Sequence, residues 1–114
     1  MKYIVAIIQT HRLEPVREAL ESVGIDSLIV VEARRYGKSE SHREFYRGMD
    51  YDVGFMPMTK IEFAVSSELA QETAKLVQKA ASTGEPGDGR IFVLDGDHSI
   101  QISSGIVDLE AKAA

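Results

Sequence analysis

The first third of the chain has the hydrophobic pattern of a β-α-β unit. Residues 2–9 are mostly apolar and β-branched, which is typical of a buried strand. A helix is predicted next, with Pro15 in its first turn and Gly24 just past its end. A second strand is predicted over 27–36, around the apolar run 28–31. The apolar positions that recur at helical spacing are Leu13, Val16, Leu20 and Val23.

The second half repeats this order of elements. Residues 59–65 alternate between apolar and polar side chains, as in a strand with one buried face. A helix is predicted after them, with Ser66 or Ser67 as its N-terminal cap and Gly84 at its end. The apolar run 91–94 predicts a fourth strand. A short fifth strand is marked by Ile100 and Ile102.

Two successive β-α-β units in one small domain predict an α+β fold, a ferredoxin-like βαββαβ sandwich. Its single sheet would carry both helices on one face. The other face would have no helix, and an apolar face without a helix needs another cover. Self-association is the simplest one, because so short a chain leaves much of its surface unburied.

Composition narrows the classes of function. The 114 residues suit a single domain over 1–114, and the net charge of −5 argues against binding to nucleic acid or to an anionic membrane surface. Cysteine is absent, which excludes disulfides, thiol nucleophiles and thiolate metal sites. No stretch has the length of a membrane span or the cleavage site of a leader, so we expect a cytoplasmic protein without membrane insertion.

The connection between the two halves, residues 37–57, is unusually long for a compact domain. It shows no helical pattern, and it carries aromatic residues among alternating charges. Aromatic side chains in a surface loop are typical of a contact with another molecule. The alternative is an extended hairpin without a partner. The aromatic residues are Phe45, Tyr46, Tyr51 and Phe55.

The segment 83–90 has the composition of a phosphate-binding turn. Three glycines within six positions allow positive φ angles, and they let backbone N–H groups converge on an anion. Thr83 adds a hydroxyl group and Arg90 a permanent positive charge. A plain turn rich in Gly, Pro and Asp explains the same composition, so spacing alone leaves both interpretations open.

Other constellations are weaker. The tripeptide 37–39 imitates the end of a Walker A motif, but Glu32 occupies the position of the required earlier glycine. Glu40, His42 and Glu44 alternate and are weak candidates for a metal site. No pairing of a nucleophile with a base is recognisable, so no catalytic residues are predicted and we do not expect an enzyme.

The chain resembles the PII signal-transduction family from end to end. That resemblance implies a ferredoxin-like homotrimer with ATP or ADP in clefts between subunits. It implies that 37–57 is the T-loop, which docks on target enzymes or transporters, that 82–90 is the phosphate-binding B-loop, and that 96–114 is a C-terminal strand and tail. The segments that carry the resemblance are 1–2, 6–8, 16–20, 42–48, Tyr51, Phe55, Pro57, 60–62, 83–84 and, most specifically, 87–93.

The resemblance also assigns residues to sites. Tyr46, Arg47 and Tyr51 would serve partner binding or modification, because Tyr51 stands where many bacterial members are uridylylated. The residues that would bind the nucleotide are Ile7, Gly37, Lys38, Glu62, Ala64, Thr83, Gly84, Gly87, Asp88, Gly89 and Arg90.

Several positions depart from the family pattern. Family members usually have lysine at Met58, glutamine at Ser39, lysine at Glu85, and arginine at Gln101 and Ser103. The departures remove positive charge near the phosphates and a lysine that helps bind 2-oxoglutarate. They predict a divergent member that prefers ADP or AMP over ATP and responds little to 2-oxoglutarate, with the role of Mg²⁺ left open.

Three hypotheses of function remain at this stage. The first is a nucleotide-dependent regulator of a partner enzyme or membrane transporter. The second is a PII-like sensor of bicarbonate or a metal ion that is linked to transport. The third is an enzyme on a ferredoxin-like scaffold, since a fold does not dictate a function.

Overall fold

The computed structural model describes residues 1–37 and 54–113 of the chain. The order of elements is the predicted one, with two short 3₁₀ helices, Thr10–Arg12 and Ser67–Leu69, ahead of the α-helices. The strands and α-helices are β1 (Lys2–Ile8), α1 (Leu13–Glu21), β2 (Ile29–Tyr36), β3 (Phe55–Val65), α2 (Ala70–Ala81), β4 (Gly89–Asp95), β5 (Ser99–Ile100) and β6 (Val107–Asp108).

The main sheet has the strand order β2-β3-β1-β4, and every neighbouring pair is antiparallel. Strands β1 and β2 therefore run parallel with β3 between them, as a split β-α-β unit requires. At the end of β1, Ile8 lies opposite Thr59 of β3 and Gly89 of β4. This topology confirms the predicted ferredoxin-like α+β fold.

Both helices lie over one face of the sheet. The strands contribute every second residue to the core, which is the expected alternation for a strand with one covered face. The buried core residues are Ile4, Ala6, Ile8, Val16, Leu20, Ile61, Phe63, Val65, Ala70, Val77 and Ala81.

Within residues 1–37 and 54–113, no helix lies over the opposite face of the sheet, as the sequence predicted. Ile29 and Val31 of β2 and Phe92 and Leu94 of β4 lie on it and are 39–48% exposed. These apolar side chains would lose contact with water if a second protein surface covered the sheet. We call this surface the helix-free face.

Strand β3 begins at Phe55, four residues before the predicted start at 59. Its first four residues, 55–58, pair with β2 alone and extend the ladder beyond the end of β1, with Phe55 opposite Tyr36. The prediction of a loop as far as Pro57 is therefore wrong for 55–57. A glycine and a proline suggested a loop, but pairing with β2 continues past them.

Two further boundaries differ from the predictions. Ser66 precedes the second 3₁₀ helix, but its side chain makes no capping hydrogen bond. Helix α2 ends at Ala81 rather than at Gly84, because Ser82 already has extended backbone angles. The predicted fifth strand is present as β5, but it includes Ile100 and not Ile102, which lies in the turn between β5 and β6. Strand β6, which pairs with β5, was not predicted. Neither described range, 1–37 or 54–113, contains a helix of the length and apolar character that a membrane span needs.

Candidate functional site

The segment between α2 and β4, residues 82–88, is organised around the carboxylate of Asp88. This carboxylate accepts hydrogen bonds from the backbone N–H groups of Thr83 at 2.7 Å and Gly84 at 3.0 Å, and from the Thr83 hydroxyl. The pKa of Asp88 is held below its usual range, mainly by the hydrogen bond from the Thr83 hydroxyl and further by the bonds from the backbone. Asp88 thus acts as a structural residue that closes the turn, and it occupies the Thr83 donors that the sequence suggested for a ligand.

The glycines of this segment adopt the positive φ angles that the sequence predicted. Gly84 and Gly87 have φ of 83° and 92°. Gly89, with φ of 119°, lies directly against β1, where a Cβ atom would come within 1.8 Å of the carbonyl oxygen of Ile7. Only glycine fits at this position, so the segment and the end of β1 touch through their backbones.

A cleft of about 430 Å³ lies between this segment, the end of α2 and the β1–β4 pair. Its apolar wall includes Ile8, Ala81 and Ile91, and its polar lining residues include Asp88 and Arg90. Among the lining residues that the structure describes, Arg90 is the basic one and Asp88 the acidic one. The cleft therefore combines an apolar surface with one cation and a glycine-rich backbone.

The other predicted nucleotide residues of the strands lie on the helix-free face. Ile7 is opposite Arg90 of β4 on one side and Lys60 of β3 on the other. Glu62 lies opposite Val5 and Ala64 opposite Tyr3, so they follow along the same face at two-residue steps. The structure brings Ile7, Gly89 and Arg90 together, and it places Glu62 and Ala64 progressively further along β3.

Glu62 is the acidic group of this face. Its carboxylate lies 3.4 Å from the ammonium group of Lys60, and its side chain is 22% exposed. Burial raises the pKa of the Tyr3 hydroxyl, and the charge of Glu62 and its hydrogen bond with that hydroxyl raise it further. Glu62 is thus a hydrogen-bond acceptor set among apolar neighbours, with lone pairs to spare for a further donor.

Within one copy of the chain, Gly37 lies away from the other predicted nucleotide residues. Its N–H donates to the carbonyl of Gly54 at 2.9 Å, at the far end of the ladder between β2 and β3. Strands β2 and β4 are opposite edges of the sheet, three strand spacings or ~14 Å apart. Gly37 and Arg90 therefore lie far apart within one subunit.

Several predicted site residues lie outside the described residues, so their assignment to a binding site remains a prediction. Within 1–37 and 54–113, no group of three or more His, Asp and Glu side chains is arranged to hold a metal ion. The predicted residues outside those ranges are Lys38 of the nucleotide site, Tyr46, Arg47 and Tyr51 of the partner site, and Glu40, His42 and Glu44 of the candidate metal site.

The positions that depart from the family pattern have distinct environments. Glu85 is exposed at the tip of the turn, and Met58 is only 1% exposed and stands apart from the main core cluster. The side-chain amide of Gln101 donates to Asp108 at 3.3 Å and accepts from the Ser104 hydroxyl at 3.0 Å, which ties it into the C-terminal hairpin. Ser103 is exposed in the same hairpin, and Ser39 lies outside the described residues.

Sequence reasoning missed two contacts that hold the turn in place. The amide of Gln9 donates to the carbonyl of Gly87 at 2.9 Å. The guanidinium of Arg12 donates to the carbonyl of Ala80 through Nε at 3.1 Å and Nη2 at 2.7 Å. Each pair is separated by more than 65 residues in sequence. The only local sign was the change from apolar β1 to polar residues at Gln9.

The chain is similar to known proteins over nearly its whole length. The family profile described as nitrogen regulatory protein P-II matches residues 1–105. Similar relatives include the nitrogen regulatory protein P-II of Rhizobium etli, 46% identical over 111 residues that cover 97% of this chain and 99% of the relative. The nitrogen regulatory protein GlnK of Escherichia coli K12 is 44% identical over 108 residues, with 95% and 96% covered.

A solved structure agrees with these relatives. The crystal structure of Arabidopsis thaliana PII bound to citrate superposes with a TM-score of 0.76 at 26% identity, and covers 99% of this chain and 90% of that one. The names of these relatives describe regulatory proteins. The fold, the glycine-rich turn with Asp88 and Arg90, and a match over nearly the whole chain lead to one assignment. The chain belongs to the nitrogen regulatory protein P-II family of signal-transduction proteins.

Proposed function

We propose that this protein binds an adenine nucleotide between the subunits of a homotrimer and controls a partner enzyme or membrane transporter through the segment 37–57. The observation that carries the proposal is the turn 82–88. It is closed by Asp88 and pressed against β1 at Gly89, with Arg90 beside it. A glycine-rich backbone next to a cation and an apolar cleft suits a phosphorylated ligand with an aromatic base.

The phosphate end of the ligand would lie at this turn. Asp88 already occupies the N–H groups of Thr83 and Gly84. The donors proposed for phosphate are therefore the later N–H groups, at 87–90, together with the Arg90 guanidinium. The neighbouring Glu85 would oppose a long phosphate chain by like-charge repulsion.

The nucleoside end would lie on the helix-free face. The Glu62 carboxylate is an acceptor for a ribose hydroxyl or for the adenine amino group. Ala64 is small and Ile7 is apolar, which leaves room and surface for a flat ring. Gly37 is on the opposite edge of the sheet from Arg90. A ligand that touches both would draw one of them from a neighbouring subunit, and the exposed apolar residues of the helix-free face give such a subunit a surface to cover.

The preference for fewer phosphates follows from the charges. An arginine or lysine contact to phosphate contributes ~1.5–3 kcal/mol. The loss of only two such contacts, at Glu85 and Gln101 for example, would weaken ATP binding about a hundredfold or more. ADP and AMP have less charge at the affected positions, so we expect them to bind more tightly than ATP. Met58, in place of a lysine, would remove a donor for 2-oxoglutarate.

Calorimetric titration of the purified protein tests the proposal. ATP, ADP and AMP are titrated with and without Mg²⁺ and 2-oxoglutarate, and the melting temperature is measured with bicarbonate and with Zn²⁺. Tight ADP or AMP binding without an effect of 2-oxoglutarate is the expected result. Cooperative binding of ATP with 2-oxoglutarate would refute the nucleotide preference. A melting shift with bicarbonate or Zn²⁺ but with no nucleotide would refute the nucleotide function itself.

A further inference from the structure

We infer that Gln9 and Arg12 are positioning residues, which fix the turn 82–88 in the orientation that a nucleotide phosphate needs. The inference rests on the proposed nucleotide function, and it concerns how the site is held. We call residues 9–12, between β1 and α1, the β1–α1 corner. Both side chains are half-buried and reach from this corner to the two ends of the segment 80–87.

The bonds of Asp88 do not by themselves orient the turn. Its three hydrogen bonds run to Thr83 and Gly84, so they close residues 83–88 on themselves. A ring closed in this way keeps its shape but can tilt relative to the sheet. Its orientation depends on contacts with the rest of the fold. Strand β1 and the corner supply three contacts, one to the end of α2 just before the turn and two to residues 87 and 89.

These three contacts are spaced along the segment. Arg12 donates twice to the carbonyl of Ala80, in the last turn of α2, just before the segment begins. Gln9 donates to the carbonyl of Gly87, in the middle of the glycine-rich part. The third is the backbone contact of Gly89 with Ile7. A charged donor at the C-terminal end of a helix also fits the helix dipole, which makes the Arg12 contact favourable.

The corner is itself held in place. The N–H of Arg12 donates to the carbonyl of Gln9 at 2.9 Å. The hydroxyl of Thr59 donates to that of Thr10 at 3.0 Å, and Thr59 is buried in the middle of the sheet. The corner is therefore fixed relative to the sheet, and its side chains in turn hold the residues before and within the turn.

Gln9 has a specific consequence at Gly87. By accepting the bond from Gln9, the Gly87 carbonyl is held toward the Gln9 side chain in the corner. The peptide N–H that follows it, that of Asp88, points the opposite way because the peptide group is planar and trans. Without Gln9 this peptide can rotate, and only a fraction of molecules would present the N–H groups in the binding orientation. Apparent affinity falls in proportion to that fraction.

The test compares ADP with adenosine, which lacks phosphates. The variants are Gln9→Leu and Arg12→Met, which remove the donors, and Gln9→Lys and Arg12→Lys, which keep one. Gln71→Leu, at an exposed position of α2, is the matched control. We expect Gln9→Leu to weaken ADP binding by roughly three- to tenfold and adenosine binding by less than twofold. The lysine variants should recover most of the loss, and Gln71→Leu should match the wild type.

Other outcomes separate this inference from the proposed function. If Gln9→Leu loses equal affinity for ADP and for adenosine, Gln9 has only a general structural role. If Gln9→Leu binds ADP as tightly as Gln71→Leu does, Gln9 has no role in binding. Either result overturns the inference. If the wild type binds no adenine nucleotide, the proposed function fails at the first titration. Amide hydrogen exchange at 83–89 then decides whether the corner orients the turn. Faster exchange in Gln9→Leu than in Gln71→Leu supports the orienting role, and equal exchange overturns it.

Discussion

Replacing Gly89 by alanine tests the closest backbone contact in the candidate site. An alanine there would have a φ angle of 119° and a Cβ atom 1.8 Å from the carbonyl oxygen of Ile7. The backbone conformation alone costs about 1–3 kcal/mol for a residue with a Cβ atom. The clash adds about 1–3 kcal/mol, because Ile7 belongs to the central strand β1 and cannot move without disturbing both of its neighbours.

Gly84→Ala is the matched control for this substitution. Gly84 has a similar positive φ of 83°, but a Cβ atom there would meet nothing within 4 Å. We expect it to cost about 1–2 kcal/mol, from the backbone conformation only. Gly89→Ala should cost about 2–6 kcal/mol in total, a large part of the ~5–15 kcal/mol that stabilises a typical domain.

Urea unfolding of both variants measures the difference. The protein concentration is held constant, because oligomerisation makes apparent stability depend on it. In thermal unfolding the clash, which costs about 1–3 kcal/mol, should make Gly89→Ala melt at least ~4 °C below Gly84→Ala. Equal stabilities of the two variants would refute the close contact of residue 89 with β1, and with it the description of the turn as fixed against the sheet.

Three further predictions concern single side chains. Folding lowers the pKa of Asp88, so the ionised carboxylate stabilises the folded protein above pH ~4, and this stabilisation is lost as the pH falls below that value. In urea titrations, the difference in unfolding free energy between the wild type and Asp88→Asn should shrink from pH 6 to pH 3. A difference that stays constant with pH would contradict this. Met58→Lys should lower the free energy of unfolding by roughly 3 kcal/mol or more, because position 58 is 1% exposed and would bury an ammonium group. Met58→Leu should lower it by less than about 1.5 kcal/mol. Equal urea midpoints for the two variants would show that an ammonium group fits at this position. Glu85→Lys should tighten ATP binding about tenfold and ADP binding less, by calorimetry, and an unchanged ratio would place residue 85 away from the phosphates.

Local patterns were sufficient for most of the fold. Strand β1, both helices and β4 follow from apolar periodicity, which depends only on residues near in sequence. The start of β3 could not be obtained in this way. Residues 55–58 are in a strand because β2 continues beside them beyond the end of β1, and Pro57 suggested the opposite. Pairing between distant segments overrode the local signal there.

The candidate site was predictable to the extent that it depends on backbone geometry. The glycines at 84, 87 and 89 indicated positive φ angles, and all three have them. The function of Asp88 was not predictable, because an aspartate in such a turn can face a ligand or its own backbone. Gln9 and Arg12 were missed because each contacts a residue more than 65 positions away, and nothing in the local sequence marks a partner at that distance.

Among the positions that depart from the family pattern, only Glu85 lies in the turn 82–88. The residues that shape the turn, Gly84, Gly87, Asp88 and Gly89, make defined contacts or have positive φ angles. The changed position within the turn, Glu85, is exposed, and it takes part in the turn through its backbone N–H, which donates to the Thr83 hydroxyl at 3.4 Å, rather than through its side chain. Since shape and charge are carried by different residues, the turn can keep its fold while its charge changes. The proposed preference for fewer phosphates therefore needs no rearrangement of the backbone, and Glu85→Lys should recover part of the lost ATP affinity without altering stability.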